Sequence, residues 1–288
     1  MSTRTARFQM ITAMTIFGTI GLFVRWIPLP SSMIALARGS IGMLFLLLVM
    51  AVRKTPISWQ AIRKNWFWLL ISGGLLGFNW ILLFESYRYT SVAIGTLCYY
   101  MAPILIILAS PVILHEKLTV KKVFCVLAAL AGMVCISGVL SEGIPSAGEL
   151  KGIVLGLIAA VLYAAIVLCN KQFREISAYE KTIFQLGISV LAMIPYCVLT
   201  VSADALTFSP RVLLMLLLVG TLHTGVTYYL YFGSMEFLSG QSVAVISYID
   251  PVIAVILSVL VLHEPMHLTE VIGAVLILGA AAASELGE

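Results

Sequence analysis

The chain has 288 residues, 61% of them hydrophobic and only 10% charged, with a net charge of +4 and a mean hydropathy of +1.08. Soluble domains average about 45–50% apolar and about 25% charged residues, so a water-soluble fold of this length lacks the polar residues to cover itself, and the solvent must be lipid. The positive balance is not a nucleic-acid signal, because nearly all the lysines and arginines fall between apolar runs, where they set membrane orientation.

Spans of about 20 residues cross about 30 Å of hydrocarbon, and ten fit the chain: 8–27, 32–52, 66–88, 91–114, 120–139, 152–170, 180–201, 210–234, 240–262 and 268–284. The first run lacks an Ala-x-Ala-like site after it, so it reads as a span and not as a cleaved signal. The connections are short; the longest are Arg53–Asn65 and Leu140–Leu150, and the second, rich in Gly, Pro and Ser, marks a join between two halves, 1–143 and 144–288. With the N-terminus inside, the inner loops hold Arg4, Arg7, Arg53, Lys54, Arg63, Lys64, Lys117, Lys121, Lys122, Lys171, Arg174 and Lys181. The outer side holds Arg25, Arg88, Lys151 and Arg211. This asymmetry places both termini in the cytoplasm. Cys98, Cys125, Cys135, Cys169 and Cys197 all lie inside apolar runs without a CxxC pair, and read as packing residues.

The halves repeat one another. Gly77–Glu116 matches Gly225–Glu264 without a gap: Phe84 meets Phe232, Ser86 meets Ser234, Ser91 meets Ser239, Tyr100 meets Tyr248, Pro103 meets Pro251, and Leu114-His115-Glu116 meets Leu262-His263-Glu264. Apolar runs match by chance; Pro, Ser, Tyr and His-Glu at one register do not. Five spans is an odd number, so the second half enters the membrane inverted. Lys117, Lys121 and Lys122 follow Glu116, whereas no Lys or Arg follows Glu264, in keeping with inversion. Inverted repeats around a midplane site are common in secondary transporters.

Ten spans in two halves, the Pro…His-Glu pattern closing spans four and nine, and Arg38 in span two resemble the drug/metabolite transporter superfamily, most closely its EamA family of bacterial exporters and permeases. The resemblance covers the whole chain. It implies an all-α membrane fold, transport of amino acids, drugs, sugars or other metabolites, and a central cavity lined by spans one, three, four, six, eight and nine.

Several residues are candidates for the site. Pro103 and Pro251 lie mid-span and deprive the carbonyls of Tyr99 and Ser247 of helix partners, which predicts paired hinges at the transport site or paired structural bends. Asp250 precedes Pro251 near mid-bilayer, where a charge must face a cavity, pair or be neutralised; its counterpart is Ala102. It reads as an amine-binding or proton-carrying group, or as a neutral acid bonded within the bundle. Arg38 and Glu85 have similar depths and are read as an ion pair or as charge-coupling groups; Arg88 snorkels, and Gln185 stands at the Arg38 register of the second half. Asn79-Trp80 aligns with Thr227-Tyr228, each a small polar group beside a large ring, suited to a pocket for a mid-sized organic molecule. With Tyr99, Tyr100, Tyr163 and Tyr248 they form the expected substrate site; Asp250 suits an ammonium and Arg38 a carboxylate. His223 reads as a hydrogen-bonded core histidine.

His263-Glu264-Pro265-Met266-His267 fits H-E-x-x-H, but Pro265 breaks the helix that zinc chemistry needs, and no metal or cofactor is expected. Glu116 and Glu264 are expected to satisfy backbone donors near the starts of spans five and ten. Small residues in spans five (Ala128, Ala129, Ala131, Gly132) and ten (Gly273, Ala274, Gly279, Ala280) suit close packing, within the protomer or in a homodimer. No P-loop is present, so transport, if active, is driven by gradients. An intramembrane enzyme is disfavoured because the His-Glu pairs lie at span ends, and a scaffold because polar groups recur at matched midplane positions. The reading is a secondary transporter in the cell membrane for a small organic metabolite, an amino acid or related amine, working as an exporter by alternating access; the alternative is an uncoupled facilitator or multidrug efflux protein.

Overall fold

The structure, a computed structural model, describes residues 1–24, 26–90, 95, 98–136, 149–262 and 268–285. Among them the regular elements are helices: α1 (Thr3–Val24), α2 (Ser31–Val52), α3 (Trp59–Ser86), α4 (Ala102–Ile113), α5 (Val120–Ile136), α6 (Leu150–Asn170), α7 (Ala178–Thr200), α8 (Pro210–Leu218), α9 (Thr227–Met235), α10 (Gly240–Ile246), α11 (Ile249–Leu262) and α12 (Leu268–Glu285), with a short 3₁₀ turn at Ala203–Ala205. Between α8 and α9 the chain continues as a π-helix, Val219–Val226, so that Pro210–Met235 is one rod. Six described helices are long and apolar enough to cross a membrane: α1, α2, α3, α6, α7 and the Pro210–Met235 rod. The remaining expected spans appear as shorter or broken helices.

Span four shows helical turns at Gly95 and Cys98–Tyr99, then a turn at Tyr100–Met101, then α4. Span nine is α10, a turn at Ser247–Tyr248, then α11. A kinked but continuous helix is what the sequence predicts; the helix instead stops and restarts, and each proline falls in the first turn after the break. There its missing N–H removes no helical hydrogen bond. The carbonyl at the first break, Tyr100, accepts the Tyr248 hydroxyl across the molecule at 3.0 Å.

Two ends can be told apart by contacts. At the near end, Ser58 caps α3 and donates its amide to Glu180. Lys64 pairs with Glu175, and the Asn65 side chain bonds the Arg174 backbone. Lys181, 2% exposed, donates to the Phe232 carbonyl at 2.8 Å, and Lys171 to that of Leu238. Burial lowers the Lys171 ammonium from its ordinary value, while Glu116 and Glu236 pull it back up. At the far end, Thr207 reaches the Pro28 carbonyl, Lys151 lies over Tyr89 and Arg211 over Trp26. Hence α1, α3 and α7 run from near to far, and α2, α6 and the Pro210–Met235 rod from far to near.

α3 is longer than its apolar run. Residues 59–65 are helical, not connecting, because Ser58 caps the helix by accepting from the Ala61 amide. α7 starts on a capping box of Ser177 and Glu180. α3 packs on α6 and α7, α2 on α7 and the π segment, α1 on α9 and α11, α4 on α6 and α10, and α5 on α12. The last pair uses the small residues within the protomer: a Cβ on Gly132 would stand 2.6 Å from the Gly273 carbonyl oxygen. The five cysteines are free.

Two further expectations are corrected. Glu116 satisfies donors at the start of α10, in span nine, not span five: its carboxylate accepts the amides of Gly240 (2.7 Å) and Gln241 (3.3 Å). Glu85 does not pair with Arg38; it accepts from Arg88 at 2.8 Å and from the Tyr196 hydroxyl, because its helix face turns toward α7. Gln185 spends its amide on Ser72 of α3, 2.7 Å away. Arg25, Ser91, Ser146, the 140–148 stretch and the whole 263–267 motif with Glu264 lie outside the described residues.

Candidate functional site

A cavity of about 490 Å³ opens among the helices, within the range of about 300–1,000 Å³ usual for small-molecule sites. α1 contributes Met14, Phe17, Gly21 and Val24; α2 contributes Ser31, Ile34, Ala35 and Arg38; α3 contributes Leu76, Trp80, Leu83, Phe84 and Tyr87. Steps of three and four place each set on one helix face. Tyr99, Tyr100 and Pro103 come from the break before α4, and Tyr163 from α6. Tyr228, Tyr231 and Phe232 come from α9, Ser247 from the break between α10 and α11, and Asp250 from the start of α11. The lining reaches Val24, Ser31 and Tyr87 at the far end and stops at the two helix breaks.

The wall is a connected set of rings. Phe17 meets Tyr228 edge-on at 5.1 Å, Trp80 meets Tyr228 at 6.0 Å, and Tyr99 tilts against Tyr163 at 5.4 Å. The hydroxyls of Tyr163 and Tyr231 bond each other. Such contacts fix ring orientation beyond what area burial alone does.

Two charged side chains enter this wall. The Arg38 guanidinium lies 4.7 Å from the Trp80 ring centre, a cation–π contact. Its Nε is buried without a hydrogen-bond partner. Asp250 is the second residue of α11, in the first turn, where unpaired amides favour a carboxylate. Tyr100 lines the same cavity, and Gly18 of α1 lies against the Asp250 carbonyl.

Of the residues singled out from sequence, Arg38, Trp80, Tyr99, Tyr100, Pro103, Tyr163, Tyr228 and Asp250 line the one cavity. Asn79, Thr227, Tyr248, Pro251 and Glu85 do not. Asn79 stands behind the lining, fully buried, donating to the Ala159 carbonyl at 2.7 Å and accepting the Tyr99 hydroxyl at 3.3 Å. Thr227 donates to the Leu222 carbonyl, and Tyr248 stacks under Tyr100 at 6.2 Å. These residues shape the wall from outside. His223 is buried in the π segment, sharing a 2.8 Å hydrogen bond with Thr19 of α1.

Sequence reasoning missed Phe17, Tyr87, Tyr231, Phe232 and Ser247. Tyr231 was legible in principle, three residues beyond Tyr228 and so on the same face; Phe17, inside an apolar run, carries no such signal. Among the described residues no cluster of His, Cys, Asp or Glu has a metal-holding arrangement.

The break geometry carries a first prediction. Pro103→Ala and Pro251→Ala each restore an amide that lets the helix run on through the turn and carries Tyr100 or Ser247 out of place. The transport that the sequence resemblance implies is expected to fall severalfold, with expression near that of the parent. A double variant that transports at the parental rate would reduce both prolines to bends without consequence.

The chain matches the model of the EamA-like transporter family twice, over residues 5–138 and 150–284. It is 33% identical over 278 residues to the uncharacterized transporter YxxF of Bacillus subtilis, covering 95% of this chain and 87% of that protein. It is 25% identical over 209 residues to an uncharacterized transporter of Archaeoglobus fulgidus, covering 71% and 72%. A solved crystal structure superposes with a TM-score of 0.84 over 98% of this chain and 97% of its own, at 21% identity, a likeness of fold alone.

Proposed function

The chain belongs to the EamA-like transporter family, a multi-pass membrane protein with transporter relatives, and from that premise we propose that it is a secondary transporter carrying a small organic molecule through the aromatic cavity by alternating access. Its favoured cargo is an amino acid or related amine, moved outward across the cytoplasmic membrane, with both termini in the cytoplasm. The observation that carries this reading is the pairing of one cation, Arg38, and one carboxylate, Asp250, in the lining of a single cavity otherwise walled by rings. A zwitterion with an apolar body matches that distribution of charge and surface.

Ten spans in two inverted five-helix halves, 1–143 and 144–288, complete the proposal. It is supported by the doubled family match, by the opposite directions of α1 and α6, and by packing that pairs off across the halves. α3 lies on α6 as α1 lies on α9, and α3 on α7 as the π segment on α2. Orientation is read by single cysteines in a cysteine-free chain: Thr55→Cys is expected to react with an impermeant maleimide only from the cytoplasm, Asp204→Cys only from outside. Labelling of both from one face would overturn the topology.

Cargo is tested by counterflow in liposomes with a bulky neutral amino acid, its N-acetyl form and its methyl ester. Exchange of the zwitterion alone is expected, because acetylation removes the ammonium and esterification the carboxylate. The permissive aromatic wall favours a second reading, an uncoupled facilitator or multidrug efflux protein, which predicts equal exchange of all three. Exchange of none sinks the substrate class.

A further inference from the structure

The cavity lining runs from the far end to the two helix breaks, and beyond those breaks, toward the near end, the half-helices α4 and α10 pack together as its floor. Ile106 of α4 and Val243 and Ala244 of α10 are fully buried there. Below them the contact turns polar. Gln241 Nε2 donates to Ser110 Oγ at 2.9 Å, and the Glu116 carboxylate takes the amides of Gly240 and Gln241. Glu116 reaches them because α4 ends on His115 in a left-handed conformation (φ 56°), which folds the Glu116 amide back toward the Ser110 carbonyl at 3.3 Å. A non-glycine residue held at positive φ is strained, and the turn persists because its surroundings hold it. Gly240 is itself tight: a Cβ there would stand 2.7 Å from Leu114 Cδ1.

We propose that Glu116 is the positioning residue that keeps the transport cavity shut at its near end, by bonding the end of α4 to the first amides of α10. α4 and α10 both lead directly into the breaks at Tyr100–Met101 and Ser247–Tyr248 that line the cavity. Parting them at Glu116 opens a path from the near end to the same site, and rejoining them closes it. The role rests on the alternating-access reading above, but it is tested here without substrate, so failure of the latch and failure of the transport assignment are separable.

The experiment uses the full chain, purified in detergent, freed of its own cysteines and carrying Ile106→Cys as a reporter inside the floor. A second reporter, Met193→Cys, sits at an equally buried place in α7. Glu116→Ala is expected to raise maleimide labelling at the Ile106 reporter by about tenfold or more, the population shift that follows loss of hydrogen bonds to a charged group. Labelling at the Met193 reporter stays unchanged. Glu116→Gln, which keeps an acceptor oxygen, restores slow labelling in part. Gly240→Val, which crowds Leu114 and the Glu116 carboxylate, 3.6 Å from a Cβ there, is expected to raise labelling as well, and the double variant adds little to either single change. Unchanged labelling in both Glu116→Ala and Gly240→Val overturns the proposal. So does a rise at the Met193 reporter equal to that at Ile106, since that is general loosening and not the opening of a floor. Should Glu116→Ala fail to fold, Gly240→Val and Glu116→Gln decide alone.

Discussion

Asp250→Asn is expected to preserve the fold and abolish transport driven by a proton gradient. Asparagine has nearly the same shape as aspartate and is neutral, so the aromatic wall stands. It cannot take up or release a proton. Among the described residues Asp250 is the sole carboxylate lining the cavity, and its counterpart in the first half is alanine, so none of the described residues takes over. A carboxylic acid in an apolar wall that ionises when a cationic cargo arrives, and is reprotonated when the cargo leaves, exchanges one for the other. The measurement is uptake into vesicles with and without an imposed pH difference. A variant that responds to the pH difference as the parent does removes the proton-carrier role. If its affinity for cargo is also unchanged, Asp250 is structural, and recognition falls to Arg38, Trp80 and Tyr228.

Gly18→Leu should lose transport by a different route. The helix α1 crosses α11 at Gly18, where an added Cβ would lie 2.6 Å from the Asp250 carbonyl oxygen and 2.7 Å from Ile253 Cβ. Neither neighbour can yield: one is backbone, the other the branch point of a side chain stiff at χ1. The two helices must separate, which costs about 1–3 kcal/mol as overpacking and displaces Asp250 with Phe17 beside it. Gly21, one turn on, has nothing within 4 Å of its would-be Cβ, so Gly21→Ala serves as the control, expected to be as stable as the parent. Thermal inactivation and transport measured on both variants decide the matter. A Gly18→Leu protein of parental stability and activity would show that the crossing is not close in the membrane.

How far the sequence shows these features depends on which coordinate is asked for. Depth is legible. α2 coincides with its predicted span because an apolar run is bounded by Pro30 on one side and Arg53 on the other, and hydrophobic length translates into bilayer depth. Azimuth is not. Arg38 and Glu85 lie at similar depth, yet one faces the cavity over Trp80 and the other faces Tyr196. Asn79 and Trp80 are adjacent in sequence and about 100° apart around the helix, so a pocket that takes one leaves the other behind the wall. The helix breaks were half legible: proline marks where a helix is disturbed, but whether it bends or restarts depends on distant donors, here the Tyr248 hydroxyl on the Tyr100 carbonyl. Glu116 reads from sequence as a partner of backbone donors, but which helix they belong to does not, since its actual partners lie 124 and 125 residues away.

The π segment at Val219–Val226 has a consequence for how the second half can change. A π turn accommodates one residue more than an α turn within the same rod, so it works as a phase shifter: everything after it is rotated by about 100° relative to an uninterrupted α-helix. Tyr228 and Tyr231 follow it directly. Which rings face the cavity in this half is therefore set by the number of residues in the rod as well as by their identity. The corresponding helix of the first half, α3, is α-helical throughout and has no such adjustment. Insertions and deletions, usually confined to loops, can thus repaint one wall of this site without altering a single aromatic residue.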